Sequence, residues 1–203
     1  MVITAIKQQL KLTDRYSIFV DGRYNFSLSS QKLLESQLYK GQIIDQLQLK
    51  DLKKLSANDK LYALVLRYCT SRLHSQREVE MYLERKQADV NTCTAIVKRL
   101  KQIGLIDDVA FAKSWISARQ QRFFSHRRII HELRQKGLDD KIIDKTTAAE
   151  EPNDSAAIAE IVRKKRQQTK YANNDLKLMR FLAQQGFNYE NIRKAVKNKN
   201  DTD

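Results

Sequence analysis

The chain has 203 residues, 41% of them hydrophobic, with one Pro, five Gly and 31% charged residues. Lys and Arg number 38 against 24 Asp and Glu, a net charge of +14. No stretch approaches the ~18 apolar residues of a membrane span, and the opening "MVITAIKQQLK" has no basic segment ahead of its short apolar run, so it does not read as a secretory signal. Few breakers and many Leu, Lys, Gln and Arg favour a mostly helical protein. The charge points to a polyanionic or acidic partner; the plain alternative is a basic, solvated surface. The expected compartment is the cytoplasm, with Cys69 and Cys93 as buried reduced thiols rather than a disulfide.

The first segment, "VITAIKQQL", has a β-branched start. "RYSIFVDGRYNFSLS" alternates around Asp21-Gly22, a pair suited to the positive φ angles of a type I′ turn. A hairpin of residues 16–20 and 23–28 is predicted, with the first segment as a third strand because a lone hairpin is marginal in water. Ser29 or Ser30 is expected to cap a helix running to about Leu38, with Gly41 ending it.

From about Leu52 the strand signals stop. "ANDKLYALVLRYCTSRL" places Leu61, Leu64, Val65 and Tyr68 on one helical face. "SQREVEMYLERK" follows, with Ser75 and Glu78 as a capping box and Val79, Tyr82 and Leu83 inward. "TAIVKRL" is a third helix, ending near Gly104. The cycle then restarts. Asp107 or Asp108 caps a helix with Phe111, Ala112, Trp115, Ile116 and Ala118 inward. "SHRRIIHELRQKG" is the next, with Ile129, Ile130 and Leu133 inward and Gly137 just past its end; "DDKIIDKTT" is short. A further copy is expected after Pro152: "SAAIAEIVRKKRQ", "NDLKLMRFLAQQG" and "NYENIRKAV".

The copies superpose by number. Ser75 and Ser125, Leu83 and Leu133, and Lys86 and Lys136 are each 50 apart; Leu133 and Leu182, and Gly137 and Gly186, are 49 apart. A three-helix unit written three times predicts a stacked helical array. The expected divisions are 1–51 (β-hairpin plus helix), 52–103, 104–149, and 150–203 with a basic tail. Asp21, Gly22, Ser75, Glu78, Asp107, Asp108, Phe111, Trp115, Leu133, Gly137, Leu182 and Gly186 are expected to carry structure.

Chemistry is sparse. His74, His126 and His131 have no metal-binding spacing, the cysteines show no paired zinc pattern, and scattered glycines form no phosphate loop. Asp107-Asp108 reads as a helix cap rather than an acid/base pair. No catalytic residue, metal or cofactor is expected. The basic runs say more. Arg119, Arg122, Arg127, Arg128, Arg134 and Lys136 face one acid, Glu132, and Arg163, Lys164, Lys165, Arg166 and Lys170 face none within their run. Phe123, Phe124 and Tyr171 lie beside them, as core residues or as platforms for bases between phosphate-binding cations. With Arg72 and Arg77 in the first copy, these cations form the candidate surface for a partner or DNA. Arg127 and Arg128 are both expected to face outward, and the run 163–166 to matter little for folding.

"RLHSQREVEMYLERK", "IGLIDDVAFAKSWISAR" and "IIHELRQKGL" at these spacings resemble the RecX family, regulatory proteins of the RecA recombinase. The most specific piece is Gly104-Leu105-Ile106-Asp107-Asp108 followed by Phe111-Ala112 and Arg119. Glu132 to Gly137 comes next, and "IFVDGRYNFSLS" is similar to the family's N-terminal segment. The likeness runs from about Ile3 to Val196. It implies a mainly α fold of tandem three-helix repeats in an elongated, curved array behind a small β element. It also implies a protein without catalysis that lies in the groove of the RecA–DNA filament and restrains extension, ATP hydrolysis, strand exchange and co-protease activity. Two departures stand out. Phe124-Ser125-His126 occupies a place where the family usually has Gly, and the third repeat is weakly matched behind the acidic "AAEEPNDSAA".

Three functions compete on the residues: a monomeric RecA-filament modulator with non-specific contact to single- and double-stranded DNA, a helix-turn-helix-like nucleic-acid binder acting without RecA, and a scaffold for an acidic protein. Three-helix units suit the second as well, and fold analogy does not separate them.

Overall fold

The structure, a computed structural model, describes residues 1–148 and 154–197. Pro152, after which the third copy is expected to begin, and the end of the expected basic tail lie outside the described residues. Among the described residues the chain is mostly helical, with eleven helices behind one three-stranded antiparallel sheet in the order β1-β2-β3. It divides into two compact units, Met1–Arg72 with Tyr82–Arg99, and Leu73–Met81 with Leu100–Asp203.

In the first unit, β1 (Ile3–Gln8), β2 (Arg15–Val20) and β3 (Arg23–Ser29) form the sheet. The β2–β3 turn has Asp21 at φ 48° and Gly22 at φ 77°, the backbone that Asp-Gly favours. The Asp21 carboxylate also accepts the Val2 N–H at 2.8 Å, tying the turn to the strand on the far side. Ile3, Ile18, Val20, Phe26, Leu28 and Ile44 make the core, flanked by Leu33, Leu49, Leu52 and Leu55. Ser29 caps α1 (Ser30–Glu35), which stops short of Leu38. Gln37, at φ 50°, turns the chain there. Gly41 therefore does not end the helix; its N–H donates to the Ile3 carbonyl at 2.8 Å and carries the loop onto β1.

The next helix, α2 (Gln46–Ser71), starts earlier than expected because Asp45 and Gln48 form a capping box; it runs through the expected 51/52 division. Val65 and Cys69 are buried, but Leu64 is 43% exposed, so the inward face is rotated away from it. What fixes α2 to the sheet carries no local sequence signal. Arg15 and Asp59 form a buried ion pair at 2.9 Å. Asp59 also accepts the Ser29 N–H at 2.8 Å and its hydroxyl at 2.7 Å, and Arg15 donates to the Ser27 carbonyl at 3.0 Å. Each buried charge has its opposite and further hydrogen bonds, the condition under which such a pair is tolerated.

α3 (Gln76–Arg85) and α4 (Val90–Gln102) follow. In the second unit, Asp107 caps α5 (Asp108–Gln120) by accepting the Val109 and Ala110 N–H groups. α6 (His126–Gln135) and α7 (Asp140–Thr147) complete that copy. Its core is Phe111, Ala112, Ile116, Ile129, Leu133, Leu138 and Ile143, with Trp115, Phe124 and Ile130 packed on it. Ala118, expected inward, is exposed. α8 (Asp154–Arg166), α10 (Asp175–Gln184) and α11 (Tyr189–Lys197) form the last copy around Ile158, Ile161, Val162, Leu178, Leu182, Phe187, Ile192 and Val196. An unexpected short helix, α9 (Thr169–Ala172), turns Tyr171 into this core. Leu83, Leu133 and Leu182 are each 0% exposed, as their common register requires.

Candidate nucleic-acid and partner interface

The repeated serines and glycines meet at two junctions of one design. At the first, the Ser75 hydroxyl donates to the Lys136 carbonyl at 2.7 Å and accepts the Glu78 N–H at 3.2 Å. Lys136 Nζ donates to the Glu78 carboxylate at 2.6 Å. Gly137, at φ 77°, lies so close that a Cβ there would stand 2.5 Å from Arg77 Cβ. At the second, Ser125 donates its N–H to the Gln185 carbonyl at 3.4 Å and accepts the Arg128 N–H at 3.2 Å. A Cβ on Gly186, at φ 88°, would stand 2.6 Å from Ser125 Oγ. The start of one copy's second helix thus docks on the end of the next copy's second helix. Each docked helix start has a backbone N–H without a partner in its own helix. Asp108 takes that of Gln76 at 2.8 Å and Asp154 that of His126 at 3.1 Å. Burial pushes the Asp108 carboxyl up, against the pull of the Gln76 N–H.

The junctions use several of the cations singled out in the sequence. Arg128 does not face outward. Its guanidinium donates to the Gln184 carbonyl at 2.8 Å, to Gln185 Oε1 at 3.2 Å and to Glu132, and it lies 4.1 Å over the Phe124 ring. Glu132 also holds Arg119 and accepts the Trp115 indole N–H at 3.1 Å. Burial alone would raise the Glu132 carboxyl, but the Arg119 hydrogen bond and charge, then Trp115 and Arg128, outweigh it and hold it below its ordinary value. Lys136 spans Glu78 and the Trp115 ring. Arg166 pairs with Asp175 at 2.6 Å and donates to the Ala172 carbonyl at 2.9 Å, so it ties α8 to α9 and α10 rather than standing idle in folding.

The other cations lie on the surface. Arg163 and Lys164 share Glu160, and the Arg163 hydrogen bond, then that of Lys164, lowers the Glu160 carboxyl to about 2. Arg134 pairs with Asp140, both well exposed. Arg77 reaches Glu80 at 3.7 Å beside the first junction, and exposed Arg72 closes α2 in the other unit. Lys170 lies against Tyr171. Arg122 and Arg127 are exposed and have no ion pair among the described residues. One group of these cations converges. Arg122, Lys164 and Lys165 line a cleft of about 240 Å³ with Phe123, Phe124, Ile161, Phe181 and Gln185. Lys164 lies 4.6 Å over Phe123 and Lys165 4.6 Å over Phe181. Phe123 holds φ 58°, uncommon for a bulky residue and costly by about 1–3 kcal/mol. Phe181 and Gln185 were not anticipated; the offset from Lys136 to Gln185 was the available signal.

These features define a class: a helical-repeat protein with a small β sheet in one compact unit and, in the other, second helices that dock start to end from copy to copy. Residues 1–45 match the model of the regulatory protein RecX N-terminal domain, and residues 107–146 that of the RecX second three-helix domain. The chain is 30% identical over 159 residues to regulatory protein RecX of Listeria monocytogenes serotype 4b (strain F2365), covering 78% of this chain and 58% of that protein. It therefore spans less than two thirds of that relative's length. It is 29% identical over 202 residues to regulatory protein RecX of Bacillus pumilus (strain SAFR-032), covering 96% of this chain and 76% of the relative. A crystal structure of regulatory protein RecX has the same fold, with a TM-score of 0.72 at 24% identity over 96% of this chain and 98% of that one. The chain thus resembles the regulatory proteins of the RecX family in its N-terminal domain, in its second three-helix domain and, at 29% identity, over nearly its whole length.

Proposed function

We propose that the chain binds the RecA–DNA filament and inhibits its extension, ATP hydrolysis, strand exchange and co-protease activity. It does so as a cytoplasmic monomer without catalysis or cofactor, its segments 1–51, 52–103, 104–149 and 150–203 serving as the β element and three repeats. The observation that carries this reading is the likeness to the RecX domain models and to RecX relatives along nearly the whole chain. The outward cations Arg122, Arg127 and Lys164, with the half-buried Lys165 beside them, support it, because a filament displays phosphates and acidic groups. Among the described residues no helix is long and apolar enough to cross a membrane.

The test is RecA ATP hydrolysis on single-stranded DNA with the chain at sub-stoichiometric amounts. Inhibition is expected, and Arg127→Glu should weaken it and make the remainder less sensitive to salt, since fewer counterions are released. DNA binding with no inhibition at any ratio would instead support a nucleic-acid binder acting without RecA.

A further inference from the structure

We propose that the cleft walled by Phe123, Phe124 and Phe181 takes one unstacked base of a single-stranded nucleic acid, with Arg122, Lys164 and Lys165 on its flanking phosphates. This deepens the filament reading and rests on it for the strand's source. The lining has four apolar side chains, three cations, one amide and no acid. At about 240 Å³ the space is below the roughly 300–1,000 Å³ of whole-ligand pockets, so it suits a single group rather than a complete small molecule.

The choice of group follows from the walls. Lys164 and Lys165 already lie over Phe123 and Phe181, so a flat ring entering here meets aromatic surface with positive charge beside it. That is the recurring arrangement of single-strand binding, in which bases stack on aromatics while cations follow the backbone. A base within a duplex is already stacked and cannot enter unless flipped out. Gln185 Oε1 is held by Arg128, which orients the amide at the cleft's rim. The strained Phe123 backbone fixes one wall, and that ring also packs on the last copy's core, so the slot is set before a ligand arrives.

Anisotropy titrations of the full chain test this with labelled oligo-dT and an abasic strand of the same length at one salt concentration. Oligo-dT should bind about tenfold tighter, the scale of one base stacked on an aromatic. Phe181→Leu should bring the oligo-dT affinity down towards the abasic value. Phe124→Leu is read in the same way should circular dichroism show Phe181→Leu unfolded. Arg122→Gln with Lys164→Gln should weaken both strands alike and flatten the salt dependence by about 0.7 per cation. Equal binding of the two strands, or an unchanged ratio in both Phe variants, overturns the proposal. So does poly-glutamate that displaces oligo-dT as well as unlabelled oligo-dT does, which would make the cleft a site for acidic protein. Inhibition of RecA ATP hydrolysis is read separately, so loss of base preference with inhibition intact refutes this site and leaves the filament reading standing.

Discussion

Adding one methyl group at Gly137 separates two costs that usually come together. Gly104 and Gly137 both hold left-handed backbone, φ 72° and 77°, and both belong to the same compact unit. A Cβ on Gly104 meets nothing within 4 Å, whereas one on Gly137 would lie 2.5 Å from Arg77 Cβ and 2.6 Å from Arg77 Cγ. Gly104→Ala therefore isolates the backbone term, about 1–2 kcal/mol for an L-residue in this region. Gly137→Ala adds overpacking, and because the nearest atom is a Cβ fixed to α3 the docked helices must move apart. Such insertions cost about 1–3 kcal/mol more, for a total of about 2–5 kcal/mol. Gly186→Ala should behave likewise, its Cβ falling 2.6 Å from Ser125 Oγ. Urea unfolding of the three variants, followed by circular dichroism, measures the difference. If Gly137→Ala is no more destabilising than Gly104→Ala, the docked junction is wrong.

The adjacent arginines of α6 should separate as cleanly. Arg127→Glu should change stability by no more than about 0.5 kcal/mol, whereas Arg128→Glu, which loses its carbonyl and Glu132 contacts and sets two acids four residues apart, should cost about 1–3 kcal/mol in thermal melting. Glu132 makes the pH dependence specific. Its folded carboxyl is depressed, so its contribution is complete above the unfolded value of ~4.3 and is lost as pH falls through the lower folded value. Glu132→Gln should melt earlier at neutral pH and lose less on acidification than the parent; parallel melting profiles would contradict this.

Local signals were legible and long-range ones were not. Asp21-Gly22 specifies its turn by backbone preference alone, and Leu83, Leu133 and Leu182 announce themselves by spacing. The start of α2 was missed because the Asp45–Gln48 box lies ahead of the stronger apolar pattern. Leu64 and Ala118 sit where a helical face borders solvent, and the neighbouring elements decide their side. Arg15 and Asp59 are 44 residues apart, and no periodicity links them. Arg128 looked like a surface charge because the acceptor that claims it, the Gln184 carbonyl, lies 56 residues away. The cleft shared this difficulty: Phe123 and Phe124 were visible beside basic residues, but Phe181 and Gln185 reach them only when the last copy is docked.

The two junctions share a shape and differ in sign. Counting 50 residues on from Glu78 gives Arg128, and 49 on from Lys136 gives Gln185. An acid meeting a lysine at one joint becomes an arginine meeting an amide and a carbonyl at the other. The joints are therefore keyed. Duplicating the middle copy would set Arg128 against a second Lys136, two cations at a half-buried contact. Joining the first copy directly to the last would leave Glu78 facing Gln185 with no cation. Repetition gave the chain its architecture, and the exchange of one charged pair restricts which copy follows which, so the array has a fixed order and cannot lengthen by simple duplication.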